Sequence, residues 1–387
     1  MAVKLIEICS FQSGGTPSRT NPEYFHGTIP WITTVALNGR TIGEESAVEW
    51  ITEKAITESA AKIVPEKSIM VGTRVGVGKV AVNAIPMSTS QDIISLVGID
   101  ESQWDKGFLC KFLQSKESYL KGQARGATIK GIKIDALSTL EVPELPLSEQ
   151  KSIVRTLDTI LDVIASRQTQ LSALDDLIKA RFVEMFGDPE TNPKEWKKKP
   201  LAEVITAANN GMARRGNDEH GSIVMRLVEL QDGYIDYTNP NRIVLNEAEK
   251  KRYLLRDKDF LFARVNGNPD NVGRCAVFTD IGEPVYHNDH IIRVHLDDNA
   301  VDGEFASALL NSTYGKRQLK NQIKTSAGQY TVSQDGIGAI VAILPPIELQ
   351  RKFSAFVSQV DKSKSAIQKS LAETQTLFDN LMQQYFG

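Results

Sequence analysis

Cysteine, long apolar runs and excess charge are scarce in this sequence, and each scarcity excludes a class of protein. The cysteines, Cys9, Cys110 and Cys275, are odd in number, widely separated and without neighbouring ligand residues. This pattern excludes a disulfide framework or a zinc site and predicts buried, reduced thiols. No segment approaches the ~20 apolar residues that a membrane span needs. Because Lys4 and Glu7 interrupt the first apolar stretch, we also expect no signal peptide, and hence a cytoplasmic protein without membrane contact.

Motifs of nucleotide-dependent and DNA-modifying enzymes are incomplete. Asn268-Pro-Asp lacks the second proline and the aromatic residue of an adenine methyltransferase loop, and no strand leads into a GxGxxG turn. The glycine-rich stretch 72–79 has the wrong spacing for a phosphate loop, and Val80 stands where the Mg²⁺-binding hydroxyl belongs. The sequence therefore predicts no cofactor and no catalytic residue.

Two polar constellations resemble parts of metal sites. Asp188, Glu195 and Lys197 have the order of a nuclease site, but the prolines at 189 and 193 favour a polar linker over the strand that such a site needs. His287 and His290 lack a third ligand and are more typical of hydrogen-bonding strand residues. We predict no metal site.

The most informative feature present is a tandem repeat, because the middle of the chain and its last segment align without a gap at a spacing of 200 residues. The aligned pairs include Pro146 with Pro346, Gln150 with Gln350, Leu157 with Val357, Leu171 with Leu371, Phe186 with Phe386 and Gly187 with Gly387. A repeat of this length duplicates a whole module and is unlike the short units of a solenoid. Two such modules favour an internal pseudo-two-fold axis, which suits duplex DNA as a partner.

Each repeat ends in a predicted long helix, 148–185 and 348–385, which follows proline and contains neither glycine nor proline. Apolar residues recur in steps of three and four, the 3.5-residue period of a coiled coil. Arg167 and Arg181 interrupt the first apolar seam, and Lys364 and Thr374 interrupt the second. Because the interruptions differ, we expect the helices to pair with each other or with partner helices. We expect the seam arginines to meet a partner's carboxylates or solvent.

The segments before the helices contain short β-rich runs broken by glycine, asparagine and proline, and they correspond to each other. The matched segments are Leu5–Ile8 with Leu201–Val204, Gly15 with Gly211, Arg74–Val75 with Arg264–Val265, Val77-Gly-Lys-Val with Val272-Gly-Arg-Cys, and Ile93–Ile94 with Ile291–Ile292. The predicted fold class is α+β, with two globular α/β domains and two long helices in a pseudo-two-fold repeat. The predicted boundaries are 1–146 for the first globule, 147–187 for the first helix, 188–346 for the second globule and 347–387 for the second helix.

Charge is segregated along the chain although the formal net charge is only −3. Lysines and arginines dominate residues 106–133 and 314–324, at similar places in the two repeats. A basic stretch is often only a solvated face. Two at matching places favour a reader of nucleic acid over a protein that coats it by charge alone.

This organisation resembles the specificity subunit of Type I restriction–modification systems over essentially the whole chain. The residues that carry the resemblance are the helix starts, the Gly-Gly-Thr-Pro and Pro-Trp-Ile strings of the first globule, and the link into the second. They read Leu145-Pro-Leu-Ser-Glu-Gln150, Leu344-Pro-Pro-Ile-Glu-Leu-Gln350, Ser13-Gly-Gly-Thr-Pro17, Pro30-Trp31-Ile32, Arg125-Gly-Ala-Thr128 and Met185-Phe-Gly-Asp-Pro with Asn192-Pro-Lys-Glu-Trp196. The second globule lacks the Gly-Gly-Thr-Pro and Pro-Trp-Ile strings, and Glu149 has Leu349 as its counterpart.

The resemblance implies a non-catalytic subunit in which each globule is a target recognition domain that reads half of a split DNA sequence. It implies that the helices form an antiparallel coiled coil, which sets the half-site separation and docks methyltransferase subunits, one per repeat. Restriction subunits would join through that complex. The expected partners are thus double-stranded DNA, two methyltransferase subunits and, indirectly, restriction subunits.

We predict that loops in each globule enter the major groove, where base edges carry a unique hydrogen-bonding pattern, while lysine and arginine hold phosphates. The candidates in the first globule are Gly15, Thr16, Ser18, Arg19, Thr33, Arg74, Lys79, Arg125, Thr128 and Lys130. Those in the second are Arg214, Arg215, Arg226, Arg264, Asn266, Asn268, Arg274, Lys324, Gln329 and Tyr330. Arg214 and Arg215 are the strongest candidates, because they follow a turn-forming Asn-Gly pair in a loop of little apolar content.

Two alternatives stay open at this point. The chain could be the specificity subunit of another bipartite modification enzyme, with the same DNA recognition and different catalytic partners. From a different class, it could be a two-headed protein-binding adaptor on a coiled-coil strut.

Overall fold

A computed structural model describes residues 2–125, 131–326 and 328–387, with the side chain of Ser326 excepted. The chain divides into two compact units. Unit 1 comprises Met1–Gln168 and Lys369–Gly387, and unit 2 comprises Thr169–Gln368. Both boundaries fall inside long helices, at positions that the 200-residue repeat makes equivalent.

The described part of the first repeat alternates short strands with short helices before one long helix. Its strands are β1 (Ala2–Lys4), β2 (Ser10–Ser13), β3 (Phe25–Ile32), β4 (Thr41–Ile42), β5 (Glu49–Ile51), β6 (Ile63–Val64), β7 (Ile69–Gly72), β8 (Val80–Asn83), β9 (Met87–Thr89), β10 (Ile93–Val97) and β11 (Glu141–Pro143). Its helices are α1 (Leu5–Ile8), α2 (Glu53–Glu58), α3 (Lys106–Ser115), α4 (Glu117–Gln123), α5 (Ile134–Ser138) and α6 (Leu147–Phe186). The main sheet has the order β2-β10-β7-β8-β4, and a second has the order β5-β3-β9-β6.

The second repeat has the same plan. Its strands are β12 (Lys197–Pro200), β13 (Ile205–Asn210), β14 (Ser222–Met225), β15 (Arg242–Ile243), β16 (Phe260–Ala263), β17 (Val265–Asn266), β18 (Cys275–Val277), β19 (Val285–His287), β20 (Ile291–Leu296), β21 (Lys324–Ser326), β22 (Gln329–Thr331) and β23 (Val341–Leu344). Its helices are α7 (Glu247–Tyr253), α8 (Gly303–Asn311), α9 (Thr313–Lys320), α10 (Gln334–Gly338) and α11 (Ile347–Phe386). The sheets have the orders β13-β20-β16-β18, β15-β14-β19 and β17-β22-β21.

Equivalent strands pair in equivalent register, which confirms the duplication. Ile93 lies opposite Gly72 in unit 1, and Ile291 lies opposite Ala263 in unit 2. The Gly78 and Gly273 amides donate to the carbonyls of these partners, Gly72 and Ala263, at 3.0 and 2.8 Å. The predicted match between the stretches starting at Val77 and Val272 is therefore confirmed.

Two other predicted matches are wrong by one residue. The counterpart of Gly211 is Gly14, since Ser13 opposes Ile94 and Asn210 opposes Ile292. A β-bulge between Ile205 and Ala207 adds a residue to β13, and a bulge shifts every later position along the strand.

Arg264 is likewise equivalent to Thr73, the residue before Arg74. Thr73 N donates to the carbonyl of Asp92 at 2.8 Å, and Arg264 N donates to that of His290 at 2.7 Å. The loop that follows is longer in unit 2, so the similar Arg-Val pairs do not occupy the same place.

The long helices α6 and α11 pair in antiparallel fashion within each unit. In unit 1, the Arg167 guanidinium donates to the carbonyl of Ser370 at 2.6 Å and to the hydroxyl of Thr374. In unit 2, Lys364 Nζ lies 2.7 Å from a carboxylate oxygen of Asp175, and Arg181 lies over the ring of Phe356. Arg167 is thus satisfied inside the chain, contrary to the expectation of a partner's carboxylates or solvent. Arg181 pairs with Glu184 on its own helix and stays partly exposed.

Each globule's core incorporates the end of the other repeat's helix. The rings of Phe108 and Phe386 are 5.2 Å apart in unit 1, while those of Phe186 and Phe305 are 4.7 Å apart in unit 2. Phe186 and Phe386, together with Phe353, are at most 2% exposed. Within the described residues, no helix is long and apolar enough to cross a membrane.

Candidate nucleic-acid interface

In unit 1, the loops that follow β2, β3 and β7 converge on one short turn, residues 90–92, between β9 and β10. Ser90 N donates to the carbonyl of Ile32 at 2.9 Å, and Gly15 N donates to that of Thr89 at 2.9 Å. Thr73 N donates to Asp92 O at 2.8 Å. We call loops 14–20, 33–36 and 73–79, with turn 90–92 and Arg125, the first loop surface.

Unit 2 repeats this arrangement around the turn between β19 and β20. Asn288 N donates to the carbonyl of Met225 at 3.0 Å, and Met212 N donates to that of His287 at 3.1 Å. The second loop surface consists of residues 211–216, 226–231, 264–274, 324–326 and 328–331, with turn 288–290. Loops are where binding residues concentrate, because a rigid scaffold positions them while their side chains stay variable.

Most candidates of the first loop surface are solvent-exposed, namely Thr16, Ser18, Arg19, Arg74, Lys79 and Arg125. The Thr16 hydroxyl accepts from Gln91 N at 3.4 Å, and Arg74 lies 3.7 Å from the carboxylate of Asp92. Arg19 donates two hydrogen bonds to Glu49, at 2.8 and 3.2 Å. Arg19 and Arg74 therefore have acidic partners while staying open to solvent.

Gly15 has a packing role in this surface. It is buried, and its carbonyl accepts from the Trp31 indole nitrogen at 3.1 Å. A Cβ at this position would lie 2.0 Å from the carbonyl oxygen of Ala60. Only glycine allows this approach, so Gly15 supports the loop from beneath. Thr33 is half-buried.

The last candidates of the first unit lie at the edge of what the structure describes. Arg125 and Gly131 exchange two backbone hydrogen bonds of 3.0 Å, and Ile132 N donates to the carbonyl of Thr73 at 2.8 Å. Thr128 and Lys130 lie outside the described residues.

Arg214 and Arg215 are exposed on the second loop surface, and both have acidic partners. Arg214 lies 2.9 Å from the carboxylate of Glu249 and also bonds the carbonyl of Val244. Arg215 lies 2.7 Å from the carboxylate of Asp289 and 3.1 Å from a ring nitrogen of His290. A partly exposed arginine held by one carboxylate keeps further donors of its five available to a phosphate or base.

A small sheet brings Asn266 together with three candidates from a segment about sixty residues later in the chain. Asn266 on β17 opposes Tyr330 on β22, and β22 pairs with β21, which begins at Lys324. Gln329 and Lys324 are exposed, whereas Asn266 and Tyr330 are half-buried. Arg264 lies between β16 and β17. Its guanidinium donates to the carbonyl of Asp289 at 3.2 Å.

The remaining candidates of unit 2 are more committed to local structure. Arg226 bonds Glu229 through its Nε at 2.9 Å, and Glu229 is only 3% exposed. Arg274 lies 3.7 Å from the carboxylate of Asp232, and Asn268 accepts from the amide of Asp270 at 3.0 Å. Arg226 is also the structural counterpart of Thr33, because each residue follows the strand that pairs in parallel with β9 or β19.

The two basic stretches contribute less to the loop surfaces than their composition suggests. Lys111, 4% exposed, pairs with Asp158 at 2.9 Å, and Lys106 pairs with Glu101 at 2.8 Å. In unit 2, the basic residues at 316, 317 and 320 pair with Asp232, Glu190 and Asp270. Much of this charge is therefore paired with acidic residues of the same unit.

Turns 90–92 and 288–290 were missed by the sequence prediction. Gln91 and Asp289 occupy equivalent places, directly after the residues that bond Ile32 and Met225. The sequence does contain a signal for them, because a polar segment directly precedes Ile93-Ile94 and Ile291-Ile292 at matching positions of the two repeats.

Burial keeps the thiols of Cys9 and Cys110 and the imidazole of His287 uncharged near neutral pH. Burial raises the pKa of the Cys9 and Cys110 thiols to about 12 and lowers that of His287 to about 4. No group of three or more His, Cys, Asp or Glu residues is arranged there to hold a metal ion. Asp188 and Glu195 both lie in the turn between α6 and β12, where the Asp188 carboxylate accepts from Glu190 N at 2.8 Å.

The model of the Type I restriction modification DNA specificity domain matches this chain twice, over residues 1–175 and 193–374. The chain therefore belongs to that family, and the predicted fold class is confirmed.

Among named relatives, it is 27% identical to the Type I restriction enzyme StySPI specificity subunit of Salmonella potsdam, covering 85% of this chain and 75% of that protein. It is 25% identical to the EcoKI specificity subunit of Escherichia coli strain K12, with the same shares covered. The solved S subunit of the Type I system of M. genitalium superposes with a TM-score of 0.59 at 17% identity, over 100% of this chain and 96% of that one. At that identity the likeness shows the fold alone.

Proposed function

We propose that this chain is a non-catalytic specificity subunit that reads a split DNA target and places methyltransferase subunits on it. The family match, which covers both repeats, carries the assignment to DNA target recognition. Its relatives are named specificity subunits of restriction enzymes. We further assign the chain to the cytoplasm and propose one methyltransferase subunit per repeat, with restriction subunits joining through the complex.

In this proposal, residues 1–146 and 188–346 are the target recognition domains, and residues 147–187 and 347–387 are the helices that join them. The first and second loop surfaces are the DNA-reading faces. What supports this is the convergence of exposed arginine, lysine and glutamine in each unit, with exposed asparagine as well in the second. Those side chains are the ones that hydrogen-bond phosphates and base edges.

The two loop surfaces carry different residues at equivalent places, such as Gln91 and Asp289, or Thr33 and Arg226. Different side chains present different donor and acceptor patterns to the major groove. The half-sites should therefore differ, and the whole target should be asymmetric.

The function is tested by copurifying the chain with methyltransferase subunits and mapping the methylated positions on DNA. We expect methylation of a single split sequence that depends on this chain. An adaptor protein would neither copurify with methyltransferase subunits nor protect any DNA. Cleavage or methyl transfer by the purified chain without partners would overturn the non-catalytic assignment.

The second loop surface is tested by replacing Arg214 and Arg215 with alanine in the complex. Each lost contact should cost about 1–3 kcal/mol, so specific binding should fall at least tenfold at the second half-site. The matched control replaces Lys197 and Lys198, an exposed basic pair on β12 outside the loop surfaces. Specific binding that survives the arginine change, or falls equally in the control, would refute this placement.

A further inference from the structure

Two glutamines that the repeat makes equivalent are buried at the starts of the long helices. Gln150 on α6 and Gln350 on α11 are 1% and 0% exposed. Glutamine is a polar residue that is mostly found at protein surfaces, so two fully buried copies at matching places call for a physical explanation.

Both side chains make the same three hydrogen bonds. Gln150 Oε1 accepts from the backbone nitrogen of Asp105 at 2.8 Å, while its amide donates to the carbonyls of Gln103 at 3.0 Å and Leu145 at 2.8 Å. Gln350 Oε1 accepts from Asp302 N at 2.9 Å, and its amide donates to Ala300 O at 3.1 Å and Pro345 O at 2.7 Å. Each amide therefore uses both its donors and its acceptor.

The accepted bond completes a helix cap. Asp105 is the N-cap of α3, and its carboxylate accepts from Phe108 N at 2.9 Å. In a capping box, the side chain at that third position reaches back to the N-cap's own N–H group. Here the third residue is Phe108, and in α8 it is Phe305, so neither can do so. The long helix supplies the missing acceptor from a glutamine.

This arrangement joins each globule to its long helix through a directional contact. In unit 1, the cap is on α3 and the glutamine on α6; in unit 2, the cap is on α8 and the glutamine on α11. The phenylalanines of α3 and α8 enter the globule cores. Apolar packing alone is non-directional and tolerates small rotations, whereas three hydrogen bonds to one planar amide do not.

We propose that Gln150 and Gln350 are positioning residues that fix the angle of each loop surface on its helix. They thereby determine which gap between half-sites the protein accepts. This inference rests on the proposed function, because it concerns the geometry of reading a split target.

The test uses the complex with methyltransferase subunits and the double variant Gln150→Met, Gln350→Met, which keeps side-chain length but removes the amides. Binding is measured on the cognate target, on targets with the gap one base pair longer or shorter, and on DNA with a single half-site. The preference for the cognate gap should fall about tenfold, while single half-site binding changes by less than about threefold. The matched control is Gln168→Met, Gln368→Met, since these exposed glutamines lie on the same helices at the same 200-residue spacing.

If binding to every DNA falls equally and the preference for the cognate gap stays unchanged, the inference is overturned. The glutamines would then have a purely stabilising role. If the methionine variant does not fold, Gln150→Asn, Gln350→Asn keeps the amides on shorter side chains and takes the same test. An unchanged gap preference there would likewise overturn it. If the wild-type complex binds no split target at all, the proposed function itself fails, and the inference with it.

Discussion

Glu304 shows how burial among like charges changes the protonation of a single residue. It lies partly buried at the start of α8, and burial raises its pKa to about 7, with the Asp361 and Asp302 carboxylates acting in the same direction. The folded state therefore holds a proton that the unfolded chain, with an ordinary glutamate pKa, has already released near neutral pH. The stability that this proton brings is fully present below the unfolded pKa and is lost as the pH rises to about 7.

We predict that Glu304→Gln stabilises unit 2 by up to about 3 kcal/mol at pH 8, because the amide needs no proton to stay neutral. The wild-type chain should lose stability between about pH 4.5 and pH 7 from this group, and the variant should not. Denaturant unfolding at pH 5 and pH 8 measures the difference. Glu219→Gln, at an exposed loop position of the same unit, is the control. Equal pH dependence in the wild type and Glu304→Gln would show that Glu304 is already ionised in the fold.

The polar residues that interrupt the seams show what a sequence period can and cannot predict about an element. The proline before each long helix and the absence of glycine and proline within it predicted both helices to within one residue of their observed ends, while the apolar period predicted their seams. It did not predict that Arg167 and Thr374, one interruption from each seam, would contact each other. That contact depends on the axial register of two antiparallel helices, which the period of either helix alone does not contain. Polar residues at such positions commonly specify register in coiled coils.

We predict that Arg167→Ala destabilises the helix pairing in unit 1 by about 1–3 kcal/mol, because the carbonyl of Ser370 loses its charged donor. Thr374→Ala should cost less, and the double variant should cost less than the sum of the two, with a coupling of at least about 0.5 kcal/mol. Denaturant unfolding of the three variants measures this cycle. Lys179→Ala is the control, because its ion-pair partner, Asp176, is on the same helix and both side chains are exposed. Strict additivity would mean that the contact between Arg167 and Thr374 contributes nothing to the pairing.

At the scale of the whole chain, duplication is what made the fold predictable from one sequence. Because the chain contains two copies, a pattern found in one repeat strengthens the same prediction in the other. Examples are the strands that begin near Ile93 and Ile291 and the helices that begin after Pro146 and Pro346. The same comparison misplaced Gly15 and Arg74 by one residue, because a bulge and a longer loop change spacing without changing composition. It also missed Gln91 and Asp289, whose place at the centre of each loop surface depends on strand pairing. The four-segment division of the chain and the list of DNA-contacting residues stay predictions.

The repeat also makes a prediction about the DNA that the whole chain accepts. If the paired helices set the half-site separation, inserting one heptad at 168/169 and one at 368/369 should lengthen the accepted gap. Seven helical residues add roughly 10 Å, which corresponds to about three base pairs of B-DNA. Both insertions together keep α6 and α11 in register. Either one alone displaces one helix by a heptad, which separates contact pairs such as Arg167 and Thr374, and should abolish binding to any split target. Methylation mapping with the three variants measures the gap. If the double insertion still selects the wild-type gap, the helices do not determine the half-site separation.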